Sequence, residues 1–288
     1  MTGTGPAGGT VPGAEIDAVW DLAQRLAADA ATLLLEHQGD PGTIATKTSA
    51  TDLVSEVDRA SERLIVDAIR RERPGDGVLG EEGTDDDDGT TGWRWVIDPL
   101  DGTINYLYGL PSYAVSIAVE HQGRAVVGVV AHPAHRETFT AVRGRGATRN
   151  GATITANHQG ELGAALVGTG FSYESHKRVR QAAVLAQVLP AVRDIRRAGA
   201  ASVDLCWVAC GRLDGYYEVG LQPWDFAAGA LIAAEAGART GDLDGGCPSG
   251  HLTLAAAPPL FEPLRHLLVA AGAGGTGAVS QPSIGAGG

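Results

Sequence analysis

The chain has 288 residues, enough to bury a large core as one domain or as two closely packed halves. Hydrophobic residues make up 44% and charged residues 19%, an ordinary balance for a globular protein rather than a disordered one. With 22 Lys and Arg against 34 Asp and Glu the formal charge is −12, which disfavours binding to nucleic-acid backbones and to anionic lipid.

No run of about 18 apolar residues occurs, and no basic segment leads into an apolar stretch, so neither a membrane span nor a secretory leader is expected. Cys206, Cys210 and Cys247 are too few and too irregularly spaced for a disulfide framework or a zinc site. Cys206 and Cys210, four apart on a helical pattern, read as core thiols, and a reducing cytoplasm fits. Residues 1–13 and 272–288 are rich in Gly, Pro, Ser and Thr and are expected to be disordered tails. That leaves 14–271 as a single domain, with halves meeting near residue 150.

Ile16, Val19, Trp20, Ala23, Leu26, Ala27, Ala30, Leu33 and Leu34 recur at helical spacing and predict a long amphipathic first helix. A second carries Val54, Val57, Leu64, Ile65, Ala68 and Ile69 on one face and ends near Arg73-Pro74-Gly75. Short β-branched segments then follow at 93–97, 114–119, 125–130 and 138–142, separated by Gly-containing turns, as in an antiparallel meander. The second half alternates. Helices are predicted at about 174–189, 200–211, 225–237 and 259–270, and strands near 194–197, 213–219 and 252–256. Gly237 would cap the third of these helices.

Four acidic stretches have surroundings that argue against a purely solvated role. Gly80-Glu81-Glu82-Gly83 follows the apolar pair Val78-Leu79. The strand Trp95-Val96-Ile97 runs into Asp98-Pro99-Leu100-Asp101-Gly102-Thr103. Asp225 heads an otherwise apolar helix after Pro223-Trp224, and Asp52 to Asp58 lies on or beside the second helix. Each has a plainer reading, since Asp caps helices and Asp-Pro and Asp-Gly make turns. Together they form a set of carboxylates suited to Mg²⁺, at the strand ends where α/β folds place their sites. An Asp-x-x-Asp pair on a tight turn can bridge two ions roughly 3.5–4 Å apart. The Gly102-Thr103 amides at a helix start suit phosphate oxygens.

Several other signals carry less. Asp85–Asp88 reads as a solvated loop tip, with a possible secondary part in gathering cations. The Gly144-Arg145-Gly146 and Gly168-Thr169-Gly170 fragments do not complete a nucleotide-binding fingerprint and read as turns. His132 and His135 lack a third ligand and read as surface or turn residues. Two basic stretches, Lys177, Arg178, Arg180 and Arg193, Arg196, Arg197, read as solvated faces, one of them able to line a substrate- or partner-facing loop.

The segments GEEG (80–83), WVIDPLDGTINY (95–106) and EVGLQPWDFAAG (218–229) resemble the inositol monophosphatase family in its bacterial branch. Supporting matches at 47–58, 144–151 and 196–218 extend the resemblance over roughly residues 15–270. It implies an α/β fold of αβαβα sandwich type, with the site between two α/β halves, and Mg²⁺-dependent, lithium-sensitive hydrolysis of a phosphate monoester without a covalent intermediate. Glu81, Asp98 and the Leu100 carbonyl would hold one Mg²⁺; Asp98, Asp101 and Asp225 a second; and Glu81, with water, a looser third. Asp58 and Thr103 match the pair that orients or activates water, and Asp101, Gly102 and Thr103 the phosphate cradle. Gly199, Ala201 and Glu218 match contacts to ring hydroxyls, and Lys47 a lysine near the site. Leu100 replaces the commoner isoleucine, and Pro223 stands where some relatives have cysteine.

Inositol 1-phosphate is the leading substrate on the strength of Gly199-Ala200-Ala201-Ser202 and of Glu218 seven residues before Asp225. Related enzymes acting on fructose 1,6-bisphosphate, histidinol phosphate or 3′-phosphoadenosine 5′-phosphate share the metal motifs. A 5% aromatic content disfavours a nucleotide substrate. Because some bacterial members associate with the transcription machinery, a non-catalytic interaction protein is the alternative of a different class. The resemblance also implies a homodimer.

Overall fold

The computed structural model describes residues 13–46, 53–84 and 87–274. Its α-helices are α1 (Gly13–Glu36), α2 (Glu56–Glu72), α3 (Thr103–Leu107), α4 (Ser175–Val188), α5 (Ala201–Ala209), α6 (Pro223–Glu235) and α7 (Pro258–Ala270). The apolar spacing of α1 becomes one buried face, from Val19 through Leu22 and Leu26 to Leu34. The start of α2 is fixed by a reciprocal cap: Ser55 and Asp58 bond to each other's backbone N–H. That cap excludes Val54 from the helix. Val54 lies instead in a strand, Leu53–Ser55, paired antiparallel with Ile44–Thr46.

An eight-stranded sheet runs in the order Ala152–Thr153, Ala147–Arg149, Glu137–Val142, Arg124–His132, Ala114–His121, Trp93–Asp101, Asp76–Gly80, Asp87–Gly89. Only Asp76–Gly80 and Trp93–Asp101 pair in parallel; the remainder is antiparallel. A second sheet of five strands has the order Asp194–Arg196, Leu166–Thr169, Gly215–Glu218, Thr253–Ala256, Arg239–Gly241. Its first three strands are parallel and its last two antiparallel to their neighbours.

The layers follow from where apolar surface must go. α1 and α2 cover one face of the large sheet, packing around Trp93, Trp95, Ile97 and Ile117. α5 and α6 fill the space between the sheets, and α4 and α7 close the outer face of the small one. The result is the αβαβα sandwich. α5 and α6, buried on both sides, are apolar nearly all round, as a helix between two sheets must be. They approach closely at Gly229, where a Cβ would lie 2.8 Å from Leu205 Cβ.

Some expectations need correction. Gly168 and Thr169 are not a turn but part of a strand. Glycine is needed there because a Cβ would meet Leu213 at 2.9 Å and Tyr216 at 3.1 Å. His132 is not a surface residue but fully buried, with Nε2 2.9 Å from the Pro111 carbonyl. Of the Asp85–Asp88 run, Asp87 and Asp88 belong to an edge strand rather than a loop tip; Asp85 and Asp86 lie outside the described residues. The expected tails also begin too far inward. Gly13 opens α1, and Ala273 is buried beneath α7. Lys47 and Asp52 lie outside the described residues.

Gly229→Val should destabilise the protein by about 1–3 kcal/mol through overpacking between α5 and α6. Urea unfolding would measure it, and an unchanged midpoint would contradict the close approach.

Candidate active site

The long strand Trp93–Asp101 carries the centre of the site. Its pairing with Ala114–His121 slips between Asp98 and Asp101, where Pro99 has no N–H to contribute. The slip leaves Asp98 buried, with Oδ1 accepting from the Leu100 N–H at 3.0 Å. Gly102 then turns the chain into α3 with φ 89°. A Cβ there would lie 2.8 Å from the Ser112 carbonyl, so both conformation and space demand glycine.

Asp101 crosses to the other half of the molecule. Its carboxylate accepts from the Ser202 N–H at 2.8 Å, the Ser202 hydroxyl at 2.5 Å and the Ala201 N–H at 3.3 Å. These amides open α5, and a helix start favours negative charge. Asn105, on α3, also bridges the halves: Nδ2 donates to the Ala198 carbonyl at 2.8 Å and the Ser112 carbonyl at 2.6 Å. Asp225 sits in the first turn of α6 and accepts from the Gln222 N–H at 2.6 Å.

On the near side, Asp58 is buried on α2 and receives the Thr103 hydroxyl on Oδ1 at 2.9 Å. The same hydroxyl is 3.1 Å from the Leu100 carbonyl, an alternative acceptor. Glu81 follows the strand Asp76–Gly80 and hydrogen-bonds through its side chain with Asp98.

Glu81, Asp101, Gly102, Gly199, Ala201, Glu218 and Asp225 all line one cleft of about 830 Å³, with Asp98 buried beneath it. Arg59, Lys177 and Arg197 reach the same cleft, so the basic stretches do not lie wholly on remote solvated faces. Glu218 accepts from the Tyr216 hydroxyl at 2.5 Å. Gly170 makes room for its carboxyl group, a side chain at that position being incompatible with it.

Burial, reinforced by Glu81, Asp101 and Asp225, pushes Asp98 well above the usual carboxylate range. Burial likewise raises Asp225, with Glu81 and Asp101 adding to it. Asp101 is raised by burial to about 6, against the opposing pull of its Ser202 hydrogen bonds. Burial raises Glu218 to about 7, with Tyr216 and Arg197 acting in the opposite direction.

This donor set fits a hard divalent cation. It is all oxygen, and its close-set carboxylates push Asp98 and Asp225 up, a repulsion that a cation would relieve. Among the described residues no three His, Cys, Asp or Glu side chains are already closed into a metal-holding set. Asp101 and Asp225 also accept from backbone donors, which hold them in place while a carboxylate keeps further lone pairs for an ion.

Two contributors were missed from the sequence, Asn105 and Glu62, and Ser202 reads there only as part of the 199–202 turn and not as a partner of Asp101. Only their partners in the folded chain distinguish them.

Fold and site together describe a cleft between two α/β halves lined by carboxylates from both, an arrangement suited to a metal-dependent phosphatase. The chain belongs to the inositol monophosphatase family, whose sequence pattern matches residues 15–275. It is 45% identical over 268 residues to the inositol-1-monophosphatase of Mycobacterium bovis, covering 86% of this chain and 92% of that one. It is 40% identical over 233 residues to the Nus factor SuhB of Escherichia coli K12, covering 78% and 85%. Among solved structures, the extragenic suppressor protein suhB of Bartonella henselae superposes with a TM-score of 0.82 at 36% identity, over 87% of this chain and 98% of that one. The family is one of metal-dependent phosphatases.

The raised carboxyls set a pH dependence in metal-free protein. Their folded-state pKa values lie above the unfolded range of about 4, so the stability present when they are protonated is lost as pH rises through the folded values. His132, lowered by burial from 6.5 to about 4, acts in the opposite sense, but its contribution is complete above pH 6.5. The Tm of chelator-treated protein should therefore fall as pH rises from about 6.5 through about 7, where Glu218 ionises, with Asp98 and Asp225 acting in the same direction. A flat or rising Tm across that window would contradict the account.

Proposed function

We propose that the protein hydrolyses inositol monophosphate, with inositol 1-phosphate as preferred ester and Mg²⁺ as the metal. The observation that carries this reading is the convergence of Glu81, Asp101, Glu218 and Asp225 on one cleft, with Asp98 buried beside it. Glu81, Asp98, the Leu100 carbonyl, Asp101 and Asp225 would hold two or three Mg²⁺ ions. When bound, the ions supply Lewis acidity to phosphoryl and leaving oxygens and acidity to water.

The protein's own groups do the rest. The Thr103 hydroxyl, donating to Asp58, keeps its lone pairs available to accept a proton from water, and Asp58 accepts in relay. The Asp101–Thr103 segment cradles the phosphate. Glu218, held by Tyr216, accepts hydroxyls of the polyol, while Gly199 and Ala201 let the ring approach the backbone. Positioning and electrostatics carry the reaction, with no covalent phosphoenzyme. Lithium sensitivity, a cytoplasmic location and a homodimer belong to the same reading.

Phosphate release from inositol 1-phosphate, fructose 1,6-bisphosphate, histidinol phosphate and 3′-phosphoadenosine 5′-phosphate, with and without Mg²⁺ and lithium, tests it. Release led by inositol 1-phosphate is expected; preference for another ester would reassign the substrate. Asp225→Asn should lower turnover by about a hundredfold or more while Tm is maintained. Near-normal turnover would remove Asp225 from the ligand set.

A further inference from the structure

Glu62 lies one helical turn after Asp58 on α2 and is buried, yet neither its burial nor its neighbours follow from the reaction described above. Its carboxylate is fully engaged by a single short segment. Oε2 accepts from the Glu82 N–H at 2.7 Å, and Oε1 from the Thr84 N–H at 3.1 Å and the Thr84 hydroxyl at 2.7 Å. Gly80 permits this approach, because a Cβ there would stand 2.5 Å from Glu62 Oε2. Glu81 directly precedes these contacts, with its own N–H tied to the Ile97 carbonyl at 3.2 Å.

The same face of α2 also grips the second acidic turn. Ser61 donates to the Pro99 carbonyl at 3.0 Å, and Asp58 receives the Thr103 hydroxyl. The parallel pairing of Gly80 with Ile97 sets the Glu81 and Asp98 backbones side by side, but Glu81 lies past the last paired residue, where the course of its turn depends on contacts beyond the strand. A helix is stiff, with a rise of about 1.5 Å per residue, so contacts four residues apart on one face hold two turns at a set separation.

We propose that Glu62 is a positioning residue for the metal site: it holds the 81–84 turn so that the Glu81 carboxylate meets Asp98 at the spacing an ion requires. The inference rests on the reading of Glu81 as a ligand. Glu62→Gln is the informative change. An amide has one acceptor oxygen where the carboxylate has two, so in either orientation an NH₂ group faces a backbone N–H. Thr84→Val removes one donor and leaves the carboxylate in place.

The test is a Mg²⁺ titration of wild type, Glu62→Gln, Thr84→Val and Glu81→Gln, read both as the metal-induced rise in Tm and as phosphate release. For Glu62→Gln the half-saturating Mg²⁺ concentration should rise about 10–100-fold in both readouts. Activity at saturating Mg²⁺ should recover much of the loss, which a merely structural role would not produce. Thr84→Val should shift the same way by less, and decides the matter alone if Glu62→Gln does not fold. Wild-type Mg²⁺ dependence in the folded Glu62 and Thr84 variants, whatever their Tm, overturns the proposal provided Glu81→Gln does shift it. If Glu81→Gln itself leaves Mg²⁺ dependence unchanged, the ligand reading fails and the positioning role falls with it.

Discussion

Burying several carboxylates within reach of one another is the constraint around which the molecule is arranged. Each such group loses hydration, and each neighbour of like charge raises the cost of ionising it. The fold answers with donors directed at fixed oxygens: the opening amides of α5 for Asp101, the Gln222 amide for Asp225 and the Leu100 amide for Asp98. These bonds offset part of the repulsion and leave the rest for a cation. Arg59, Lys177 and Arg197 line the cleft together with its carboxylates, a distribution suited to an anionic ester approaching a protein of net charge −12.

The layers explain why the site lies where it does. The two sheets share the central α5/α6 layer, so the start of α5, the start of α6 and the end of the strand Trp93–Asp101 meet at one edge of the sandwich. Neither half could form the site alone. The first half contributes Asp58, Glu81, Asp98 and Asp101; the second contributes the amides that hold Asp101, together with Glu218 and Asp225. Asn105 joins the halves by a bond to a backbone carbonyl, Ser202 by bonds to the buried Asp101 carboxylate, and Arg212 by an ion pair with Glu137.

Much of this was legible in the sequence because the signals were local. The α1 spacing, the meander of β-branched segments and the apolar α6 with Asp225 at its head are all near-neighbour patterns, and each became the expected element. Family motifs then brought distant carboxylates together, and Glu81, Asp101, Glu218 and Asp225 line one cleft. What stayed hidden depended on contacts far apart in the chain. Gly168 looks like a turn until Leu213 and Tyr216 are seen against it. His132 looks exposed until Pro111 and the sheet enclose it. Glu62 looks solvated until the 81–84 segment closes over it. The extent of α2 could have been read from its cap, Ser55 with Asp58 three residues on, but apolar spacing alone carried Val54 into the helix.

The bonds from α5 to Asp101 have a consequence for local motion. The Ala201 and Ser202 N–H groups are committed to a side chain from the other half of the molecule rather than to their own helix. Their exchange with solvent hydrogen therefore requires Asp101 to let go, not α5 to unwind. Two amides about a hundred residues from Asp101 in the chain thus report on the freedom of a single carboxylate, and their protection measures how firmly the halves are clasped without any substrate present.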